Sequence, residues 1–223
     1  MGDVTDSGRV DVLIVVGMAR ETRVVGGLAR VAVGRDGLAI ALAESRPAAI
    51  LSFGICGALD PSLRVGDLVI GHAVNGLPSD PEWTARLAAA LPAARLGAFA
   101  AADSMVAHAS AKAAMRAQSG AITVDMESHA VAATGIAFAV LRAVSDTANE
   151  TLPSAARVGL SADGGPDIPA VLKSLLADPR QLAALIRTAR NAEAAYASLR
   201  NALDLLGPGI GRLDIGEHFI DVA

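Results

Sequence analysis

The sequence predicts an α/β domain built on a mainly parallel or mixed sheet. Short apolar runs rich in β-branched residues alternate with stretches whose apolar residues recur at helical spacing. The runs end in glycine or turn-forming residues, and no internal repeat or linker divides the chain. We therefore expect one domain over 9–223, with a disordered start at 1–8.

Val10–Val16 is β-branched, stops at Gly17 and reads as a buried first strand; Arg20 to Arg30 follows at helical spacing. Ala49–Phe53 is a second buried strand, stopped by Gly54 and Gly57. Arg64-Val65-Gly66-Asp67 forms a turn into a strand at Leu68–His72. Pro81 opens an Ala/Leu-rich helix that ends near Leu91. Leu96–Ala102 reads as a strand, although alanine is a poor β-former. A helix at Ser110–Ser119 is closed by Gly120, and Ala121–Met126 is extended. Glu127–Thr134 is helical and ends at Gly135. Ile136–Val144 is the clearest interior strand, with Arg142 its one charge. Two helices close the pattern, Asp167 to Ala177 and Asp178 to Leu206, the second capped by Asp178 with Pro179 after it. The loops Thr147–Pro166 and Leu206–Ile215 are rich in Gly, Pro and small residues, a composition expected of functional lids.

Composition removes several classes. The chain is 52% hydrophobic, 19% charged and 3% aromatic, too apolar for a disordered protein. Charges interrupt every apolar run before the ~18 residues that spanning a bilayer requires, which leaves peripheral membrane contact open. A net charge of −4 without a Lys/Arg cluster argues against nucleic acid. The start lacks an apolar signal core, and the single Cys56 cannot form an internal disulfide, so a cytoplasmic protein is expected. His72, His108, His129 and His218 lack metal-ligand spacing, so no metal is expected. Arg180, Arg187 and Arg190 read as a solvated helix face. Cys56 lacks the strand-to-helix turn and His partner of a thiol nucleophile and reads as a small buried residue.

In an open α/β sheet, ligands gather beyond the carboxyl ends of the strands. Four segments reach that edge: Gly17-Met18-Ala19-Arg20-Glu21, Gly54-Ile55-Cys56-Gly57-Ala58, Asp125-Met126-Glu127 and Ser145-Asp146. Any one of these carboxylates is a plausible helix cap; their convergence on one edge points to chemistry.

These segments resemble the nucleoside phosphorylase and nucleosidase superfamily (purine and other phosphorylases, family 1). Gly54 to Asp67 is similar to that family's Gly-rich loop and following Val-Gly-Asp strand entry. Val124 to Ala132 resembles its Met-Glu ribose-binding motif, and Leu141 to Asp146 its catalytic Arg-x-x-Ser-Asp motif. The resemblance implies a three-layer α/β/α phosphorylase-type fold around a central mixed, partly closed sheet. It also implies a homodimer, a small nucleoside as ligand and no cofactor, with phosphate a co-substrate only if the reaction is phosphorolytic.

The residue types suit that chemistry. Breaking a purine N-glycosidic bond leaves negative charge on the departing base, which an acid near N7 neutralises; by resemblance this is Asp146. An apolar setting, with Ala143, Val144 and Met126 as walls, would keep its proton on near neutral pH. Glu127, acceptor-only when ionised, matches the group that binds the ribose hydroxyls, and Met126 the residue under the sugar. Met105 and Val106 occupy the purine-contacting segment, where the family commonly carries phenylalanine. Gly54 and Ser145 join the expected substrate-binding set through their motifs.

Glu21 decides between two reactions. A glutamate at this place activates water in the hydrolytic members, whereas phosphorolytic members bind phosphate through arginines and a loop serine. Here the loop serine is Ile55, and a carboxylate beside an isoleucine makes a poor nest for a dianion. Arg20 and Arg23 leave phosphate binding open if either turns inward. The bland reading of Glu21 is an exposed first-turn acid stabilised by the helix dipole. The expected activity is hydrolysis of an adenine nucleoside, with a purine nucleoside phosphorylase and a non-catalytic nucleoside binder as alternatives. Within the superfamily the chain looks most like the hopanoid-associated phosphorylase group, which would imply an apolar 5′ substituent and adenosylhopane as substrate.

Overall fold

The computed structural model describes residues 11–27, 29–157 and 167–207. Strand β1 (Val12–Val16) is buried at every position, as a run of β-branched residues covered on both faces must be. Helix α1 (Ala19–Val25) follows and stops at Gly26, whose φ of 62° favours glycine. Arg30 therefore lies outside the helix, in β2 (Arg30–Val33), and α2 (Gly34–Glu44) comes next. Neither element was expected; Gly34 and Gly37 hide a helix that packing, rather than propensity, maintains.

Strand β3 (Ala49–Ala58) is the spine of the fold. It does not stop at Gly54 but runs through both glycines for ten residues. Its first part pairs in parallel with β1, and Gly57 and Ala58 pair antiparallel with β7 (Thr123–Asp125). Along its other edge runs β8 (Ala137–Asp146), parallel from Ala49 to Gly57. Strand β4 (Leu68–Val74) pairs antiparallel with β8 and parallel with β6 (Arg95–Ala101), which in turn pairs with β7. Five strands, β3-β8-β4-β6-β7, thus close into a barrel, with β1 and β2 extending the sheet outward. A two-residue β5 (Leu77–Pro78) adds a hairpin to β4.

The remaining helices are α3 (Pro81–Ala90), α4 (Ala109–Ser119), α5 (Ser128–Ala132), α6 (Ser154–Arg157), α7 (Ile168–Ala177) and α8 (Leu182–Leu206). A 3-10 turn at Pro179–Gln181 separates α7 from α8, where one helix from Asp178 was expected. Period-two alternation sends Val12, Ile14 and Val16 to one face, packed with Trp83 of α3 and Tyr196 and Leu199 of α8. Leu13, Val15 and Ile50 face the other side with Leu38 of α2, Val131 of α5 and the barrel residues Phe99, Val140 and Val144. This is the expected three-layer α/β/α arrangement around a mixed, partly closed sheet. The expected start at 1–8 and residues 158–166 and 208–215 of the two expected lids lie outside the described residues.

Candidate active site

Three carboxylates gather where β1, β3 and β8 end, and each sits against a glycine. Glu21 lies against Gly54, whose φ of 149° and lack of a Cβ allow the contact; a methyl there would collide with the carboxylate. A Cβ on Gly17 would stand 2.7 Å from Oε1 of Glu127, and one on Gly57 3.2 Å from Oδ1 of Asp146. The glycines therefore admit acidic side chains to the sheet edge and do not end the strand. Gly54 and Gly57 stand three residues apart on β3, a rise of about 10 Å at ~3.3 Å per residue.

Glu21 is 1% exposed, which removes the bland reading of it as an exposed first-turn acid. Its Oε2 accepts from the amides of Gly17 (2.7 Å) and Met18 (2.9 Å), and its Oε1 from the amide of Ile55 (2.8 Å). Burial pushes its pKa up to about 7, against the opposing pull of Arg142 and of the Ile55 and Met18 amides. A carboxylate that titrates near neutrality is suited to take a proton from water.

Arg142, the arginine of the Arg-x-x-Ser-Asp stretch and the one charge of its strand, was given no role of its own in the sequence reading, and the structure puts it at the centre of the site. Its guanidinium is fully buried, with Nε 3.0 Å from Asp125 and Nη1 3.1 Å from Glu127. It also donates to the Ser52 hydroxyl (2.8 Å) and the Ile55 carbonyl (3.1 Å). Burial works against its charge, but Asp125, Glu127 and Glu21 outweigh that penalty and hold its pKa above the ordinary arginine value. The available signal was a lone charge inside an apolar strand, since a buried arginine demands partners. Arg142 fixes Oε2 of Glu127. Asp125 also accepts from the amides of Glu127 (3.1 Å) and Ser128 (2.9 Å) and from the Ser128 hydroxyl, so the segment carrying Glu127 is braced from both sides.

Asp146 is brought into place by an irregularity in β8. Cys56 pairs with Val144 but Gly57 pairs with Asp146, so Ser145 is an extra, bulged residue. A bulge reverses the side-chain alternation and re-aims the next side chain. Ser145 Oγ then donates to Asp146 Oδ2 (2.9 Å) and lies 3.2 Å from the Cys56 carbonyl. Burial raises the Asp146 pKa, as expected, but its surroundings are not the apolar walls anticipated. The Lys112 ammonium contacts Oδ1 directly and pulls the pKa the other way. Lys112 is one of only two lysines in the chain, and nothing in its local sequence marks it for this place.

Met126 is 37% exposed, and its carbonyl accepts from Arg35 of α2 (Nη2, 3.1 Å), which also pairs with Asp103. Met105 is half-buried, and Val106 packs against Leu59, Ala100, Ala121 and Val124. Their segment is tied to Asp125 through the Ala102 amide and to the loop after Asp146 through the Ala107 carbonyl, each at 2.8 Å. Neither Arg20 nor Arg23 turns toward Glu21. Arg20 pairs with Glu193 and lies 4.9 Å from the centre of the Tyr196 ring, and Arg23 is exposed. The Cys56 thiol is buried with its pKa raised by that burial, which makes it unreactive. A cleft of about 400 Å³ opens beside Ala148 and Asn149, but none of the three carboxylates lines it. Among the described residues no His, Cys, Asp or Glu cluster could hold a metal ion, and no helix is long and apolar enough to cross a membrane.

Residues 33–177, more than half of the chain, match the family model of the phosphorylase superfamily. The chain belongs to the phosphorylase superfamily. No curated protein sequence matches it significantly. Among solved structures it is similar to a 5′-methylthioadenosine/S-adenosylhomocysteine nucleosidase from Neisseria meningitidis in complex with methylthio-immucillin-A. The TM-score is 0.64 at 18% identity, covering 87% of this chain and 97% of the other. It is also similar to futalosine hydrolase of Helicobacter pylori, with a TM-score of 0.57 at 17% identity and coverage of 87% and 98%. A nucleosidase from Streptococcus pyogenes gives 0.55 at 18% identity, covering 87% and 98%. At these identities the likeness is one of fold, and the chemistry must be argued from this chain's own residues.

Proposed function

We propose that this protein is a purine nucleosidase that hydrolyses the N-glycosidic bond of an adenosine derivative. The observation that carries the reading is the position of Glu21. The amides of Gly17, Met18 and Ile55 converge as a nest fit for an anion, and the Glu21 carboxylate already fills it. A phosphate dianion would have to displace a buried carboxylate there, whereas a water molecule needs only to approach it.

In this mechanism Glu127, held by Arg142 through Oε2, accepts hydrogen bonds from the ribose diol. Asp146 gives its proton to N7 as the C1′–N9 bond breaks, and N9 keeps the electron pair, which the ring spreads. Glu21 takes a proton from the water that attacks C1′. Products are the free base and a sugar with a C1′ hydroxyl. Met126 lies beside the sugar, and Met105 and Val106 contact the purine in place of an aromatic ring, consistent with a chain that is 3% aromatic. The resemblance to the hopanoid-associated group suggests a long apolar 5′ group, with adenosylhopane as substrate. Ile168, Leu172 and Leu176 of α7, each more than half exposed, offer apolar surface for such a group or for the second subunit of a homodimer.

The test is a panel of adenine nucleosides whose 5′ substituent runs from hydroxyl through methylthio to a long apolar chain, assayed for free adenine. Release should be fastest with the apolar chain. Tight binding of every nucleoside without release of base would make the protein a binder instead.

A further inference from the structure

We propose that Lys112 is a positioning residue of this site, gripping one oxygen of Asp146 so that the other delivers the proton. The inference rests on the nucleosidase reading and adds a residue that neither the motifs nor the resemblance supplies. Lys112 stands on α4, is 0% exposed, and comes from an element 34 residues away from the acid. An ammonium has three donors, and here all three are used: on Asp146 Oδ1, on the Thr147 carbonyl (2.8 Å) and on the Glu150 carbonyl (3.2 Å). Its slot is thus built from the acid and the chain just after it, and both are held as one unit. Glu150 is anchored further by Arg187 (3.1 Å) and Asn191 (3.3 Å) of α8.

The grip has two consequences for the proton. Oδ1 receives an N–H from Lys112, so the transferable proton sits on Oδ2. The Ser145 hydroxyl beside Oδ2 has a second acceptor in the Cys56 carbonyl and can turn to it while Oδ2 carries hydrogen. When the proton passes from Oδ2 to N7, Asp146 becomes a carboxylate, and the fixed ammonium on Oδ1 neutralises the charge at the moment it forms. The titratable and charged groups that face Asp146 are Lys112 from α4, Glu150 from the following loop and Cys56 from β3. Lys112 is the one cation among these, so its removal should weaken the acid.

The experiment compares the pH profile of kcat/KM for wild type, Lys112→Met and Lys112→Arg, alongside thermal melts. An opposite charge at contact distance lowers a carboxyl pKa by about 1–3 units. The alkaline limb should therefore move up by at least about one pH unit in Lys112→Met, with kcat reduced about 10- to 100-fold and KM nearly unchanged. Lys112→Arg keeps the charge and should leave the limb in place. A folded Lys112→Met variant with an unmoved limb overturns the proposal, as does an equal shift in Lys112→Arg. The Asp146 carboxyl is also titrated by ¹³C NMR in wild type and in both variants, a readout independent of turnover. Wild type that releases no base would refute the nucleosidase reading. The NMR titration would then still decide whether Lys112 governs this carboxyl.

Discussion

Replacing Arg142 with methionine tests whether the site is held together by one buried cation. The side chain is of similar length and apolar, so it fills the volume but removes every polar contact of the guanidinium. Asp125 and Glu127 lose a partner at 3.0 and 3.1 Å, and the Ser52 hydroxyl and the Ile55 carbonyl lose a donor. Removing one member of a buried ion pair costs about 3–5 kcal/mol, because the charge left behind is uncompensated. Here two carboxylates are left, which argues for the upper end. For a domain of this size 1 kcal/mol corresponds to about 2–4 °C, so 3–5 kcal/mol predicts a melting point lower by roughly 6–20 °C. The assay is thermal melting by circular dichroism at pH 7.5 and low protein concentration. The double variant Arg142→Met/Asp125→Asn removes one of the stranded charges and should recover several degrees, a coupling expected only of contacting residues. A drop below about 3 °C, or no recovery in the double variant, would refute the view that Arg142 neutralises these carboxylates.

Other outcomes are expected from the same geometry. Glu21→Gln should lower kcat by about 10²–10⁴ while the dissociation constant for nucleoside changes little; equal loss of both would make Glu21 a structural cap. Because folding raises the Glu21 pKa from 4.5 to about 7, the folded state favours its protonated form. Its contribution is fully present below pH 4.5 and is lost as pH rises through 7, amounting to roughly 3 kcal/mol as an upper bound. Urea melts from pH 4 to 8 should show this slope in wild type and not in Glu21→Gln. Asp146→Asn keeps an oxygen for Lys112 and should fold, bind nucleoside and release no base. Asp146→Leu strands the Lys112 ammonium and should lose about 3–5 kcal/mol in the same melts. Gly17→Ala forces a methyl to within 2.7 Å of Glu127 Oε1, so it should raise KM for ribosides with little change in melting point.

Much of the fold was legible because the buried strands are short apolar runs with glycine at their ends. The same glycines misled at β3. Gly54 and Gly57 read as strand breakers, yet they keep the strand extended and make room for Glu21 and Asp146. Helix α2 was hidden by Gly34 and Gly37, whose low propensity is overridden by packing of Leu38 and Ala41. In the site, Glu21, Glu127 and Asp146 stand in recognisable local motifs. Arg142 was visible as the arginine of the Arg-x-x-Ser-Asp stretch but its role was not, and Lys112 was not legible at all, because both roles are set by partners far along the chain: Ser52 and Ile55 for the arginine, and the turn after β8 for the lysine. Periodicity and spacing carry no information about such contacts. The bulge at Ser145 is equally silent in sequence, since it is defined by its register against β3.

The most direct test of hydrolysis over phosphorolysis is to measure base release from one accepted adenine nucleoside with and without phosphate, and to identify the sugar product by mass spectrometry. With Glu21 filling the amide nest, release should proceed at the same rate in phosphate-free buffer and yield the free sugar. A rate that depends on phosphate and a ribose 1-phosphate product would contradict the assignment of Glu21 as the group that activates water.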